Sequence, residues 1–254
     1  MQPTLEVIFT PAEFTALEKL DLGQIVCVVF DVLRATSTMV TALTNGAAAI
    51  IPVVEIPEAL SLKQSRPEVL LAGERGGVRI QADLTGSIEF DLGNSPHEFT
   101  REKVGGRTIV MTTTNGTRAL RACARAKAVL VGSFLNLRAT AEFLAKGDPT
   151  NLLLVCSGTF DQAACEDVLC AGALCDLLWE RYGQGAVTDS AAMARQLFRS
   201  AAEDLLSAIA QSRNGRRLLS HPELKDDVPF CVQRDIFGMV AELGQDGLVR
   251  KRSD

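Results

Sequence analysis

The sequence predicts a three-layer α/β/α fold built on a largely parallel or mixed sheet. Apolar runs rich in β-branched residues recur along the chain, and most precede a segment whose apolar residues have helical spacing. Strands and helices that alternate in this way form a sheet with helices on both faces. The chain of 254 residues suffices for one large domain and contains no flexible linker, so we expect a single domain over residues 1–254.

The elements follow in order from local signals. Thr10 and Pro11 are typical of the cap and first residue of a helix, and Asn45-Gly46 is typical of a helix end. Residues 78–100 carry several Gly, Asn and Pro positions and are expected to be irregular. The predicted strands are residues 5–9, 26–30, 48–54, 69–72, 107–111, 128–131 and 152–156. The predicted helices are residues 11–20, 36–43, 57–65, a segment ending at 126, 137–146, 163–182 and 189–213, and the remainder is expected to be mostly helical.

The clearest unit covers residues 26–46. Its apolar run is typical of a buried strand and ends at Asp31, and Arg34 follows with a planar guanidinium suited to phosphate or carboxylate. The free N–H groups of the next helical turn and the helix dipole favour an anion. The alternative is that the hydroxyl side chains only cap the helix. These hydroxyl residues, which we predict to bind phosphate, are Thr36, Ser37 and Thr38.

Two further predicted strands end in loops of the same kind. Ligands of open α/β sheets bind beyond the carboxyl ends of the strands, so we expect these loops to meet at one site. Hydroxyl and N–H groups beside a helix start suit the oxygens of a phosphate, although a single loop of this kind could serve only as a cap. The candidate phosphate-binding residues in them are Thr112, Thr113, Thr114, Asn115, Gly116, Ser157 and Gly158.

Acidic residues near these loops are candidate metal ligands. Asp31 follows a buried strand directly, and a fourth strand end carries Glu74 and Arg75. Glu166 and Asp167 lie near the start of a predicted helix, close to the loop at Ser157. Mg²⁺ binds to one or two carboxylates together with water and substrate phosphate, so a complete cage of protein ligands is not needed. Which of these acids hold a metal stays open at this point.

Composition narrows the function classes. The net charge of −5 and the lack of a long basic run argue against binding to nucleic acid. The sequence has no stretch of about 18 apolar residues, so we expect no membrane span. The N-terminus lacks the features of a signal peptide, and the seven cysteines include no C-x-x-C pair. We therefore expect a cytoplasmic protein whose cysteines are buried free thiols.

Five motifs occur in one order: DVLRATST at 31–38, AGERGG at 72–77, FDLGNSP at 90–96, TTTNGTRAL at 112–120 and VGSFLN at 131–136. With these motifs the chain resembles the 2-phosphosulfolactate phosphatase family, the ComB-like proteins, over residues 26–235. The segment between Ile80 and Phe90 looks longer than in the family, and Val240-Ala241 stands where Val-Pro is expected.

The resemblance implies a Mg²⁺-dependent phosphatase that converts 2-phosphosulfolactate into sulfolactate and phosphate on the route to coenzyme M. Its motifs contain the residues that we predict to be catalytic, and the partner expected for them is a small phosphorylated hydroxy acid. A related 2-phosphorylated hydroxy acid stays open as the substrate, and a homodimer stays open as the assembly. The candidate catalytic residues are Asp31, Arg34, Glu74 and Arg75, and the candidate metal ligands are Asp31, Glu74, Glu166 and Asp167.

Two alternatives remain. A non-catalytic anion-binding or regulatory protein could keep the same fold and phosphate site, although strand-end carboxylates repel an anionic ligand unless a metal lies between them. An internal duplication is the second open question, because Thr36-Ser37 is matched 77 positions later by Thr113-Thr114.

Overall fold

The computed structural model describes residues 2–17 and 19–252. Within these residues the strands form one mixed sheet of eleven strands. The strands are β1 (Thr4–Ile8), β2 (Ile25–Phe30), β3 (Ala49–Val53), β4 (Leu70–Arg75), β5 (Val78–Arg79), β6 (Thr108–Thr112), β7 (Ala128–Gly132), β8 (Asn151–Cys156), β9 (Ala186–Val187), β10 (Ala241–Leu243) and β11 (Val249–Lys251).

The helices alternate with these strands over most of the chain. Short 3₁₀ helices cover Pro11–Glu13, Pro96–Glu98 and Phe134–Asn136. The α-helices are α1 (Phe14–Leu17), α2 (Ala35–Thr44), α3 (Ile56–Ser65), α4 (Ala82–Thr85), α5 (Arg101–Val104), α6 (Gly116–Cys123), α7 (Leu137–Gly147), α8 (Cys165–Leu177), α9 (Trp179–Tyr182), α10 (Asp189–Ala201), α11 (Leu205–Ala210), α12 (Arg213–Leu219) and α13 (Asp227–Cys231). Among the described residues, no helix is both long and apolar enough to cross a membrane.

The sheet consists of two parallel groups of strands joined by an antiparallel hairpin. The strand order is β5-β4-β6-β3-β11-β10-β7-β2-β8-β1-β9. β4, β6 and β3 run parallel to one another, as do β7, β2, β8, β1 and β9. The hairpin of β10 and β11 lies between the groups and pairs antiparallel with β7 and β3. The predicted mixed, largely parallel sheet is confirmed.

Helices cover both faces of the sheet, which confirms the three-layer prediction. In β2, Val28 and Phe30 face one apolar cluster, whereas Cys27 and Val29 face another. Residues of α8 and α10 belong to the first cluster, and residues of α2 and α6 belong to the second. A strand that is buried on both faces has a continuous run of apolar residues, and β2 could be predicted from the sequence for this reason. Full burial of each large side chain contributes about 1.5–3 kcal/mol.

The long helix predicted for residues 189–213 is wrong, because capping side chains divide it into α10, α11 and α12. The carboxylate of Asp204 accepts the main-chain N–H of Ser207 at 3.0 Å. The hydroxyl of Ser212 accepts the main-chain N–H of Gly215, also at 3.0 Å. Each cap starts a new helix and leaves the preceding one to end just before it.

The prediction that the C-terminal segment is mostly helical is also wrong, since β10 and β11 lie there inside the sheet. Gly247 has a φ of +78°, and its N–H donates to the carbonyl of Gly244 at 2.9 Å, which closes the turn between the strands. The strands have three residues each, too few for period-two alternation to be recognised in the sequence.

The prediction of free cysteines is confirmed. All seven are unpaired, and six are buried, while Cys165 is partly buried. Burial raises the pKa of the Cys156 and Cys170 thiols well above the usual range, so these side chains act as small apolar groups.

Candidate active site

The structure brings all four strand-end loops to one cleft of about 50 Å³. A wider groove of about 980 Å³ lies beside α7 and β11, away from these loops. We take the smaller cleft as the candidate site because buried carboxylates surround it. The cleft is lined by Asp31, Leu33, Arg34, Glu74, Gly76, Gly77, Asn94, Thr114, Asn115, Thr159, Phe160, Asn214 and Arg217.

Asp31 lies at the end of β2 with 8% of its surface exposed. Its main-chain N–H donates to the hydroxyl of Thr36 at 3.0 Å, and its Oδ1 accepts the N–H of Ala35 at 3.2 Å. The first residue of α6, Gly116, approaches so closely that a Cβ there would lie 2.8 Å from Oδ2. The positive end of the α6 dipole therefore lies beside this carboxyl group.

The pKa of Asp31 is raised from its ordinary value of 3.8 to about 7, chiefly by burial and to a smaller extent by the nearby carboxylates of Glu74 and Glu166. The N–H of Ala35 and the guanidinium of Arg34 act in the opposite direction. A buried carboxyl group in this range, at a cleft, is typical of functional sites. A cation bound at the cleft would favour its ionised form.

Both carboxylate oxygens of Glu74 accept hydrogen bonds from protein donors. Oε1 accepts the N–H of Thr114 at 2.8 Å and its hydroxyl at 2.9 Å. Oε2 accepts the N–H of Gly77 at 2.7 Å. Glu74 therefore joins the turn after β4 to the loop after β6, and its negative charge is satisfied by these donors.

Glu166 and Asp167 both lie buried in the first turn of α8. Asp167 accepts the N–H of Val32 at 2.8 Å and that of Gly158 at 3.1 Å, so it joins the loops after β2 and β8. Burial, followed by the charges of Asp31 and Glu166, raises the pKa of Asp167 well above its usual range. In Glu166, Oε1 accepts the side-chain amide of Asn214 at 2.5 Å, whereas Oε2 is buried with no partner.

These bonds separate the four candidate metal ligands into two pairs. Glu74 and Asp167 use both oxygens to hold main-chain N–H groups. Among the described hydrogen bonds, Oδ2 of Asp31 and Oε2 of Glu166 receive no donor. Within residues 2–17 and 19–252, no three His, Cys, Asp or Glu side chains form a metal cage. One or two carboxylates suffice for Mg²⁺, so Asp31 and Glu166 could hold it.

Arg34 is buried at 3% exposure and lies between two loops. Its Nη1 donates to Oδ2 of Asp227 at 2.6 Å, and its Nη2 donates to the carbonyl of Gly77 at 2.6 Å. Asp227 also accepts the hydroxyl of Ser95 at 2.5 Å. The charge of Arg34 is thus compensated by Asp227, and the guanidinium group of Arg34 holds the main chain of Gly77 in place at the cleft.

Replacing Arg34 with lysine is expected to lower kcat/KM about 100-fold, because an ammonium group cannot reproduce the planar fork that bonds Asp227 and Gly77 together. The measurement is kcat/KM with the melting temperature of the same sample. Arg138→Lys, whose arginine forms an exposed ion pair with Asp235, is the control. An unchanged kcat/KM with a lower melting temperature would show that Arg34 acts on stability alone.

The hydroxyl groups at the start of α2 do not line the cleft. Thr36 accepts the N–H of Asp31 at 3.0 Å, Ser37 donates to the carbonyl of Val32 at 2.8 Å, and Thr38 donates to the carbonyl of Asn94 at 2.9 Å. All three side chains are fully buried. The structure thus shows them holding the loop that carries Asp31.

Arg75 also points away from the cleft. Its guanidinium donates to the carbonyls of Glu74 and Val54 and to the hydroxyl of Thr112, at 2.7–3.1 Å. Thr113 exchanges hydrogen bonds with Thr117 at the start of α6.

In the loop after β6, Thr114 and Asn115 are the predicted phosphate-binding residues that line the cleft. In the loop after β8, the hydroxyl of Ser157 is buried without a partner, and Gly158 is bound to Asp167.

Thr114→Val is expected to keep the fold but lower kcat about 100-fold, comparable to the loss of one oxyanion donor. The variant loses the hydroxyl that faces the cleft and holds Oε1 of Glu74. The matched control is Thr188→Val, because Thr188 caps α10 away from the cleft. Loss of that cap should lower stability by about 1 kcal/mol and leave kcat unchanged. If Thr114→Val behaves like the control, Thr114 has only a capping role.

Sequence reasoning missed the contribution of α12 to the cleft. Asn214 and Arg217 are three positions apart and therefore share one face of this helix. The amide of Asn214 bonds both Glu166 and Thr159, at 2.5 and 2.9 Å. The Arg217 guanidinium lies over Gly77, 3.6 Å from where a Cβ would stand, and has no acceptor among the described residues. The one sequence signal for a role of α12 in anion binding is the group of arginines after the cap at Ser212, namely Arg213, Arg216 and Arg217.

Arg217→Ala is expected to lower kcat/KM about 10- to 100-fold, since a charge-assisted hydrogen bond to an anionic substrate contributes about 1.5–3 kcal/mol. Arg216→Ala is the matched control, because that arginine is exposed on the same helix and does not line the cleft. Equal kinetics for the two variants would exclude a substrate contact by Arg217.

Comparison with known proteins gives one consistent result. The family model described as 2-phosphosulpholactate phosphatase matches residues 10–246. A probable 2-phosphosulfolactate phosphatase of Caldicellulosiruptor saccharolyticus is 39% identical over 219 residues, which cover 85% of this chain and 87% of the relative. A protein of the same description from Thermotoga petrophila is 41% identical over 216 residues, covering 85% and 88%. Another from Pseudothermotoga lettingae is 36% identical over 248 residues, covering 97% and 99%.

Proposed function

The chain belongs to the 2-phosphosulfolactate phosphatase family, and from this membership we propose that it hydrolyses 2-phosphosulfolactate or a related 2-phosphorylated hydroxy acid. In this reaction water forms a new bond to phosphorus, the P–O bond to the 2-hydroxyl oxygen breaks, and the products are sulfolactate and inorganic phosphate. The observation that supports this proposal most is the pair of carboxylate oxygens without donors, Oδ2 of Asp31 in the lining of the cleft and Oε2 of Glu166 behind Asn214, which also lines it.

We propose that Asp31 and Glu166 hold Mg²⁺. The fit rests on Oε2 of Glu166, which is buried without a partner, and on Oδ2 of Asp31, which receives no donor among the described bonds. When bound, Mg²⁺ neutralises charge on the phosphoryl oxygens and orients the group. This assignment narrows the four acids predicted from the sequence to two. Glu74 and Asp167 then serve to hold the loops that surround the site.

The other residues bind and orient the substrate. Phosphoryl transfer needs little covalent help and depends on positioning and electrostatic stabilisation. The start of α6 at Gly116 directs the positive end of a helix dipole toward the cleft, Arg217 supplies donors at its wall, and Thr114 holds Glu74 there. Arg34 holds Gly77 in place under the guanidinium of Arg217. Phe160, which is 71% exposed, also lines the cleft.

A non-catalytic anion-binding protein is the second candidate function. It would need the donors of Arg217 but no group of buried carboxylates. Asp31, Glu74, Glu166 and Asp167 all lie buried around a cleft that would receive an anion. Without a cation their charges oppose binding, so their presence favours the enzyme.

Phosphate release from a panel of esters tests the proposal. We expect release from 2-phosphosulfolactate in the presence of Mg²⁺, slower release from 2-phosphoglycerate, and the slowest from glycerol 2-phosphate. No release from any of them, combined with binding of sulfolactate, would support the anion-binding alternative. In a host that makes coenzyme M, the product would enter that route. The cytoplasmic location, the homodimer and the internal duplication stay predictions.

A further inference from the structure

A second pocket of about 420 Å³ adjoins the catalytic cleft, and we call it the lateral pocket. The two spaces share Arg34, Gly77 and Asn94 as a common wall. The lateral pocket extends from this wall toward α5 and the segment that follows α12, and Lys103 and His221 line it there. The two spaces are therefore immediate neighbours.

The walls of the lateral pocket carry donors that nothing in the protein uses. Lys103 and His221 are exposed, and neither side chain has a partner among the described residues. His97, the other histidine of the chain, also lines the pocket, makes a tilted ring contact with Phe230, and has Nε2 3.4 Å from the carbonyl of Asp226. The chain therefore has both of its histidines and an unpaired lysine in this one space.

The remaining charged groups of the pocket are largely compensated. Arg79 pairs with Glu89 at 2.5 Å, and Arg34 pairs with Asp227 at 2.6 Å. Of the two acids that line the pocket, Glu98 accepts the N–H of Gly93 at 2.9 Å, and Glu223 is exposed. Lys103 and His221 are therefore the groups free to receive an anion.

The catalytic cleft cannot accept a second acid group as readily. Its space is about 50 Å³, and two buried carboxylates, those of Asp31 and Glu74, line it. A metal and a phosphate would balance those charges, but a further anion would meet them unscreened. At the common wall, Oδ1 of Asn94 is buried without a partner and, as an acceptor, could bind a donor but not the acid group itself.

We propose that the lateral pocket binds the acid group of the substrate that is not transferred, a sulfonate or carboxylate, through Lys103 and His221. The proposal rests on the proposed function and places in the lateral pocket one of the two acid groups that 2-phosphosulfolactate keeps, its sulfonate or its carboxylate. Arg217 lines the cleft and lies over Gly77, a residue that the two spaces share.

The test compares KM for two esters in the full-length protein with Mg²⁺. We expect Lys103→Ala and His221→Ala each to raise KM for 2-phosphosulfolactate about 10-fold, as expected for the loss of one charge-assisted contact. KM for glycerol 2-phosphate, which has no second acid, should stay unchanged. Arg101→Ala is the control, because Arg101 lies exposed on the same short helix as Lys103 and does not line the pocket.

The outcomes separate this proposal from the proposed function. An unchanged KM for 2-phosphosulfolactate, or an equal rise for both esters, would overturn the role of the lateral pocket while leaving the phosphatase intact. If the unmodified protein releases no phosphate from any ester, the proposed function fails, and calorimetric binding of sulfolactate replaces kinetics. Weaker sulfolactate binding in the two variants would then support the lateral pocket, and equal binding would overturn it.

Discussion

Asp31→Asn is expected to lower kcat by at least about 1,000-fold, because it removes the oxygen that we assign to the metal and leaves the cleft without its central charge. In the presence of a chelator, the same variant should melt at a higher temperature than the unmodified protein at pH 8. Loss of activity with a gain of stability is the pattern of a strained functional group and not of a structural one.

The sign of the stability effect follows from the pKa of Asp31. Its folded-state pKa is about 7, above the ordinary value of 3.8, so between these values the folded chain binds more protons than the unfolded chain. Stability contributed by the neutral carboxyl is therefore present below about pH 4 and is lost as the pH rises through about 7. Asparagine never ionises, so the variant keeps that stability at pH 8.

Melting curves in chelator at pH 5 and pH 8 measure this effect. A gain of about 1 kcal/mol would raise the melting temperature by about 2–4 °C in a chain of this size. The gain should be larger at pH 8 than at pH 5. Asp246→Asn is the contrasting control, because a hydrogen bond from Arg250 lowers the pKa of that exposed carboxyl, and its removal should give no gain and leave kcat unchanged. A lower melting temperature for Asp31→Asn at pH 8 would contradict the prediction.

Chelation is expected to abolish activity, and added Mg²⁺ is expected to restore it. Mg²⁺ at 100 times its dissociation constant should stabilise the folded chain by about 2.7 kcal/mol, which is visible as a higher melting temperature without any substrate. Glu166→Gln should raise the Mg²⁺ concentration needed for this shift at least about 10-fold, since it removes a charged ligand oxygen. Full activity in chelator would show that the carboxylates serve another purpose.

Glu142→Gln is a suitable control for the Mg²⁺ titration, because Glu142 lies on α7 beside the wider groove and does not line the cleft. Its Mg²⁺-dependent shift should equal that of the unmodified protein. If Glu166→Gln gives the same shift as this control, the metal is not held by Glu166, and the division of the four acids into two pairs is wrong.

Local patterns in the sequence were sufficient for the fold class and for the loops that form the cleft. The apolar run of β2 ends at Asp31, and the apolar run of β6 likewise ends in a polar loop, which contains Thr114. Since the carboxyl ends of parallel strands lie at one edge of a sheet, their loops could be expected to meet. Three-residue strands such as β10 and β11 could not be found, because their place in the sheet comes from partners on β7 and β3.

The sequence by itself therefore determined most of the strands and helices before residue 189 and the polar loops that follow them, because periodicity and capping act between residues a few positions apart. Only the tertiary structure decided what each side chain does in the cleft. Arg34 is compensated by Asp227, 193 positions away, and Glu166 is held by Asn214, 48 positions away. Whether a carboxylate oxygen is free for a metal depends on such distant donors, and no local pattern records them.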